Sequence, residues 1–471
     1  MRATGQTTAV TDLRLALDAA GYTEEAVTGL IGPWAAGQGD VVVLRLRARG
    51  EEALAVLVRL LLLGLPQALD PVTTALGSAG LAAAEALGVV RCVEDRCVPL
   101  LRVEPWRDLL LVSDLADDSG RPTRPDHVMG VTASTAVLAD LTPRSTVGTV
   151  LDVGCGAGVQ ALLASRHSRS VTATDLQPRC AALTALNAGL NAVDVDVRVG
   201  DLAAPVAGER FDLVVANPPF VLGAGAPGWG AEEPVTDRLL SDLPALLSAG
   251  GVAVVLANWS YDPAEGPEAP MLDRLAEWPG DRWVILLETH DTPSYAAGWS
   301  RGLPPARRQR EAAAWVGRRS SGTRHVAGGV LVLRHRVRRG WTRVDDGRRV
   351  PCRPGPRFLP AQLAVEDLLS DETMLLRAAV QRCAGVDVDV RLDHTLVPVS
   401  VRVAAGDGLG VSLWSDPGLL DVLRRADGRP VADMLADLPA GIPARAALLA
   451  VRTLLRLGVL EPAEQDLAVR R

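Results

Sequence analysis

Apolar residues fall first into helical spacing, then into alternating strands and helices, and finally into paired strands. LRLALDAAGY (13–22) and EEALAVLVRLLLLGL (51–65) set apolar side chains three and four residues apart, which lines one face of a helix. LAAAEALG (81–88) continues in the same rhythm. VVRCVEDRCVPLL (89–101) reads as a hairpin turning at Glu94-Asp95. Helices followed by a two-stranded wing predict a winged-helix-like module over residues 1–125. Such modules bind nucleic acid in some proteins and only other proteins in others, so the fold alone does not assign a role.

Over residues 126–340 the rhythm alternates. Strands are predicted at Thr149–Val153, Ser170–Thr174, Val193–Val199, Phe211–Ala216, Val252–Asn258, Trp283–Glu288 and Val330–His335. Helical stretches lie between most of them: VQALLASR, PRCAALTALNAGLN and VTDRLLSDLPALLSAG. Pro178 suits the first turn of its helix, where a missing N–H costs nothing. Gly250-Gly251 stops another helix before the next strand. This alternation predicts an α/β fold, doubly wound around a mainly parallel sheet. Residues 341–471 read as a smaller α/β or winged-helix-like domain. VDVDVRLDHTLVPVSVRV alternates like two paired strands, and PARAALLAVRTLLRLGVLEP is an amphipathic helix running into a short strand.

Composition changes this picture only locally. The 471 residues carry a net charge of −7, with no lysine among the 49 basic residues, so the whole chain offers no case for nucleic-acid binding. Residues 301–357 depart from that, with 16 arginines against Glu311, Asp345 and Asp346. The block reads either as a solvated basic face or as a footprint for RNA, DNA or an acidic partner, with Trp315 and Trp341 available to stack on bases. The N-terminus lacks the apolar core of a signal peptide, and the run Leu54–Leu65 is broken by Arg59 and too short to span a membrane. A cytoplasmic protein is expected. The six cysteines form no CxxC pair, so no metal site is predicted. Cys92 and Cys97 face each other in the hairpin, but free thiols are the expectation for this compartment.

Candidate chemistry gathers at the ends of the predicted strands. VLDVGCGAGVQALL is a strand, a glycine loop and a helix. Gly154, Gly156 and Gly158 give a backbone free of Cβ atoms where a ligand crosses the sheet edge. Val159 stands where a dinucleotide fingerprint wants glycine, and Asp152 leads the loop; an acid there suits an ammonium-bearing ligand better than a pyrophosphate. Asp175 ends the second strand in SVTATDLQP, followed by Leu176, and an acid at that point can take both hydroxyls of a ribose. Asp201-Leu202 follows the third strand and suits an exocyclic amine and a ring face. The fourth strand ends in Asn217-Pro218-Pro219-Phe220. Two prolines cannot donate to a ladder, so the strand stops in a rigid turn. The Asn217 side-chain oxygen and the Pro218 carbonyl then form a pair of acceptors, and Phe220 can stack on a flat group.

On the motifs DVGCGAG, TATDLQP, VGDL and NPPF, residues 126–340 resemble the class I S-adenosylmethionine-dependent methyltransferases. The resemblance implies a Rossmann-like sheet of seven strands with the last antiparallel, flanked here by the smaller end domains. It implies that Gly154, Gly156 and Gly158 flank the methionine part of the cofactor, that Asp175 holds the ribose, and that Asp201 and Leu202 meet the adenine. HVMGVTAST (127–135) would also reach the cofactor. Asn-Pro-Pro-aromatic is similar to the subset that methylates exocyclic amines of adenine or guanine in DNA or RNA, or the glutamine amide of release factors. NPPFV followed by VTDRLLSDLPALLSAGG is nearest to the HemK-type glutamine methyltransferases, although Phe220 replaces the tyrosine of many members. GAGAPGWGAEEP (223–234) departs from the family pattern. The layout resembles actinobacterial methyltransferases with extra domains at both ends. The implied partner is a translation factor or a nucleic acid; the rival reading is a binding protein that acts through its end domains without transferring a methyl group.

Overall fold

The computed structural model describes residues 2–34, 40–116, 124, 126–218, 235–299, 305–317, 325–337, 340–348, 355, 357–405, 409 and 412–463. Its centre is a mixed sheet of eight strands: β1 (Val147–Val153), β2 (Ser168–Asp175), β3 (Asp196–Val199), β4 (Phe211–Ala216), β5 (Leu247–Tyr261), β6 (Gly280–Asp291), β7 (His325–His335) and β8 (Thr342–Asp346). They lie in the order β8-β6-β7-β5-β4-β1-β2-β3. All adjacent pairs run parallel except those of β7, which is antiparallel to β5 and β6. The order reverses at β1, and α/β sheets bind ligands at that kind of reversal, beyond the carboxyl ends of the strands.

The sheet therefore has eight strands where seven were expected. The extra strand, β8, is short and carries Val344 as its only large apolar residue, so hydrophobic alternation gives it no signal. Side-chain pairing holds it instead. Trp283 on β6 donates its indole N–H to Asp345 at 2.7 Å, and the Arg343 guanidinium lies 4.3 Å from the centre of that ring. β5 begins at Leu247, so the residues LSAG expected to end a helix belong to the strand, with a register shift before Val252.

Four helices frame the working edge: α1 (Ala133–Leu141), α2 (Val159–Ala164), α3 (Pro178–Leu190) and α4 (Val235–Leu246). α3 starts on Pro178 and buries Leu183, Leu186 and Leu190 at helical spacing. Those leucines meet Val10, Leu13 and Leu17 of the first helix, Arg2–Ala19, in one continuous core. The N-terminal module thus shares its core with the sheet domain. It comprises helices, a small sheet of Gln67–Ala68, Arg96–Pro99 and Val90–Val93, and a second hairpin, Leu101–Trp106 with Leu109–Asp114.

The first of these hairpins pairs Cys92 directly with Cys97, and the two form a disulfide across the strands; the expected free thiols are corrected here. Cys155 and Cys180 are buried free thiols.

The C-terminal region buries a separate core around Val365, Leu375, Val401, Val422 and Leu454. The two alternating strands predicted there are present as β9 (Asp387–Leu392) and β10 (Pro398–Ala404), joined by β11 (Ser412–Ser415) into an antiparallel sheet. The predicted amphipathic helix spans Ala444–Leu457 and runs into the strand Leu460–Pro462. Much of the described part of the arginine block is structural. Arg334 and Arg336 pair with Asp281 and Asp367, and Arg343 is buried against Glu366 and Gln362. Trp341 packs beside the sheet core, and the Trp315 side chain lies outside the described residues.

Candidate functional site

The register of the sheet brings the predicted residues to one rim. Val153 of β1 is level with Thr174 of β2 and with Ala216 of β4. Gly154, Asp175 and Asn217 are the next residues along these three adjacent strands. With strands about 4.8 Å apart, the glycine loop sits between the acid and the amide within a span of about 10 Å. Asp175 is level with Val199 of β3, and Asp201 follows two residues beyond it.

The loop itself is tightly laid down. Thr174 accepts hydrogen bonds from the N–H groups of Gly154 and Cys155 at 2.8 and 3.0 Å. Gly154, Gly156 and Gly158 all have positive φ, at 72°, 56° and 81°. They need glycine for different further reasons. A Cβ on Gly154 or Gly156 would meet nothing within 4 Å, so the space above them is open. A Cβ on Gly158 would lie 2.7 Å from Thr184 Cγ2, so this glycine lets α3 close against α2.

Asp152 does not face that open space. It is 2% exposed, and its Oδ2 accepts the Ala161 N–H at 3.0 Å, bracing the loop to α2 from below. Burial pushes its carboxyl up to about 7, against the Ala161 hydrogen bond and with Asp175 adding to the rise. Asp175 accepts from Gly156 N–H and Gln177 N–H, both at 2.9 Å, so it fixes the loop and the start of α3 together. Beside it Leu176 is 65% exposed, an apolar surface standing on the rim. Asp201 is ion-paired with Arg238 of α4, and the Leu202 carbonyl accepts from Thr174 Oγ1 at 2.9 Å.

Asn217 is half-buried. Its Nδ2 lies 3.5 Å from Ser134 Oγ at the start of α1, while Oδ1 is buried and meets no donor among the described residues. A buried acceptor without a partner costs about 1–3 kcal/mol, so an N–H brought to Asn217 Oδ1 would recover that loss. Pro218 is buried directly after it. Pro219, Phe220 and the segment GAGAPGWGAEEP lie outside the described residues.

Several residues that support this rim carried no sequence signal. Two buried carboxylates of the second N-terminal hairpin hold the backbone of HVMGVTAST. Glu104, 0% exposed, accepts from Val131 N–H at 2.7 Å, and Asp114 accepts from Val128 N–H at 2.8 Å. Burial works to raise the Asp114 carboxyl, but the ion pair to Arg179 and the Val128 N–H outweigh it and hold it below the usual range. Asn187 of α3 accepts from Val112 N–H at 2.7 Å and donates to the Val112 and Ala157 carbonyls, both at 2.9 Å. Asn191 does the same for both backbone groups of Leu110. These amides act as an extra strand against the hairpin edge, fastening it to the helix that follows Asp175. Among the described residues no group of His, Cys, Asp and Glu is arranged to hold a metal ion, and no helix is long and apolar enough to cross a membrane.

Residues 129–265 match the family model "Methyltransferase small domain", and residues 19–100 match a "Domain of unknown function (DUF7059)". The chain is 33% identical over 164 residues to ribosomal RNA small subunit methyltransferase C of Salmonella arizonae, covering 34% of this chain and 45% of that protein. It is 32% identical over 163 residues to release factor glutamine methyltransferase of Deinococcus radiodurans, covering 33% of this chain and 53% of that protein. The match thus spans about half the length of these relatives. Among solved structures, the Thermus thermophilus 16S rRNA N2 G1207 methyltransferase in complex with AdoMet and guanosine aligns at 16% identity over 58% of this chain and 64% of that one, with a TM-score of 0.30. Residues 129–265 are therefore similar to the methyltransferase small domain.

Proposed function

We propose that the chain transfers a methyl group from S-adenosylmethionine to a planar amine or amide nitrogen, on an RNA base or on a translation factor. The observation that carries this reading is the buried Oδ1 of Asn217, which meets no donor among the described residues and stands one residue past the cross-strand row that leads into the glycine loop. The residues present fit the cofactor. The open space over Gly154 and Gly156 admits a ligand against bare backbone, Asp175 would take the ribose, exposed Leu176 would pack on the adenine face, and Asp201 with Leu202 would border the ring. Asp152 would act from beneath the loop as a buried carboxylate opposing positive charge, not as a direct contact. When bound, S-adenosylmethionine supplies an electrophilic methyl group on a sulfonium.

The chain's own contribution is orientation. The lone pair of an amide or aromatic amine is conjugated and a poor nucleophile. Asn217 Oδ1 and the Pro218 carbonyl would each accept one N–H of the acceptor, which turns the lone pair out of the conjugated plane and toward the methyl carbon. The proline pair would keep the two oxygens from rotating, and Phe220 would stack on the flat group. Asn217 has no titrating proton, so it positions the acceptor and does not act as a base.

Tritium transfer from labelled S-adenosylmethionine into cell extract tests the proposal. Label sensitive to RNase places the acceptor in RNA, and label sensitive to protease places it in a protein. Cofactor binding with no transfer to either would replace the proposal with a non-catalytic binding protein.

A further inference from the structure

The C-terminal sheet has two edge strands, β9 and β11, and β9 is the more exposed. β9 lies at its edge, and all six of its residues are exposed. Open edges of this kind are usually blunted or covered, because their unpaired N–H and C=O groups template pairing with another strand. Here the exposed side chains are apolar on one face: Val388 is 43%, Val390 40% and Leu392 45% exposed. Val388 and Val390 lie opposite Val403 and Val401, both fully buried, so they prolong the core-facing surface past the edge of its cover.

The backbone alternation of β9 fixes which groups point outward. Asp393 N–H donates to the Val397 carbonyl at 2.9 Å, so Asp393 turns its backbone toward β10. Successive strand residues point opposite ways, so Arg391 and Asp389 also face β10. Val388, Val390 and Leu392 then offer their N–H and C=O groups to the open side. An antiparallel partner must bond to those three.

We propose that β9 pairs with β9 of a second copy of this chain, antiparallel about a two-fold axis through Val390. The sequence is self-complementary in that register. Val390 faces its own counterpart, and Val388 faces Leu392 of the second copy, so apolar meets apolar on the core face. On the other face Asp389 lies opposite Arg391 of the second copy, and the axis generates that pair twice. Opposite charges directly across strands stabilise such a pairing. Asp389 also holds Arg402 at 2.7 Å, which extends the alternating charges back across the sheet to Trp414, 60% exposed. The ends bring Asp387 against Asp393 of the second copy. The Asp393 carboxylate already accepts from Thr395 N–H, Thr395 Oγ1 and Val397 N–H at 2.8, 2.7 and 3.0 Å, which spreads its charge. The interface is isologous, as a closed dimer requires, and covers the side of β9 away from β10.

The test uses the full chain in sedimentation velocity over a concentration series. A reversible monomer–dimer equilibrium is expected. Val390→Pro removes an outward N–H and leaves the β9–β10 ladder intact, and Arg391→Asp sets like charges against Asp389 of the second copy. Each should raise the dimer dissociation constant about tenfold or more, with the thermal melt of the monomer unchanged. As a positional check, Val390→Cys should give a covalent dimer with a short bis-maleimide above the wild-type background, whereas Val388→Cys, about 13 Å or more from its counterpart, should not. A chain that stays monomeric at every concentration overturns the proposal. So does a dimer that both edge variants leave intact, or cross-linking from Val388→Cys and not from Val390→Cys.

Discussion

Replacing Asn187 with alanine removes three buried hydrogen bonds at once. It strips the Val112 N–H, the Val112 carbonyl and the Ala157 carbonyl of their side-chain partner. Asn187 is 0% exposed, so solvent does not readily replace it. An orphaned buried polar group costs about 1–3 kcal/mol, and a small hole admits water to some of them, so the expected loss is about 3–6 kcal/mol. That is a large part of an ordinary domain's stability. Asn187→Asp should be nearly as harmful. It can still accept from Val112 N–H, but its second oxygen then faces two carbonyl oxygens. Urea unfolding followed by tryptophan fluorescence reports this, since Trp106 is buried in the adjoining hairpin. The N-terminal module and α3 share a core, so the midpoint should fall for module and sheet domain together. A loss below about 1 kcal/mol, or a module that unfolds while the sheet domain keeps its wild-type midpoint, would refute the reasoning.

Four further outcomes concern the glycine loop, its buried acid and two arginines away from the site. Gly154→Ala should cost about 1–2 kcal/mol of stability from its positive φ yet weaken S-adenosylmethionine binding in calorimetry, whereas Gly158→Ala should also lose thermal stability from the contact with Thr184. Asp152 has a folded pKa raised to about 7 from 3.8, so the folded state holds its proton more tightly and stability falls as pH rises from about 4 to 7. Asp152→Asn, which keeps the Ala161 hydrogen bond, should flatten that decline in melts across the range; an unchanged slope would contradict the assignment. Arg343→Ala leaves Glu366 and Asp345 with fewer partners in a buried network and should cost about 3–5 kcal/mol in denaturant unfolding. Arg308→Ala, on the exposed face of the helix Pro305–Gly317, should leave stability within about 0.5 kcal/mol.

The parts of the site readable in sequence are those fixed by local rules. Strand ends show where apolar runs stop, and Gly154, Asp175, Asp201 and Asn217 follow such stops, so their common rim follows once the strands are parallel. Asp152 shows the limit of that reading. Its position before the loop is visible, but whether its carboxyl faces a ligand or the underside of α2 depends on the turn taken by Gly154 to Gly158. The supporting residues, Glu104, Asp114, Asn187 and Asn191, act on backbone groups between 14 and 81 residues away, and nothing local distinguishes them from surface polar residues. Strand β8 was hidden for a related reason, since a tryptophan and an arginine from different strands hold it more than any hydrophobic pattern does. The arginine block shows the same dependence on distant partners. Its density is compatible with a solvated face or a binding footprint, but does not show that Arg334, Arg336 and Arg343 turn inward to carboxylates that the sequence places far from them.

The central claim is that Asn217 presents a free acceptor to the nitrogen that receives the methyl group. Single-turnover transfer by Asn217→Ala, measured beside its S-adenosylmethionine affinity, tests this most directly. The account predicts affinity within about threefold of wild type and transfer reduced at least about a hundredfold, in line with the loss of one preorganised polar contact. Transfer at the wild-type rate by a variant that still binds the cofactor would contradict it.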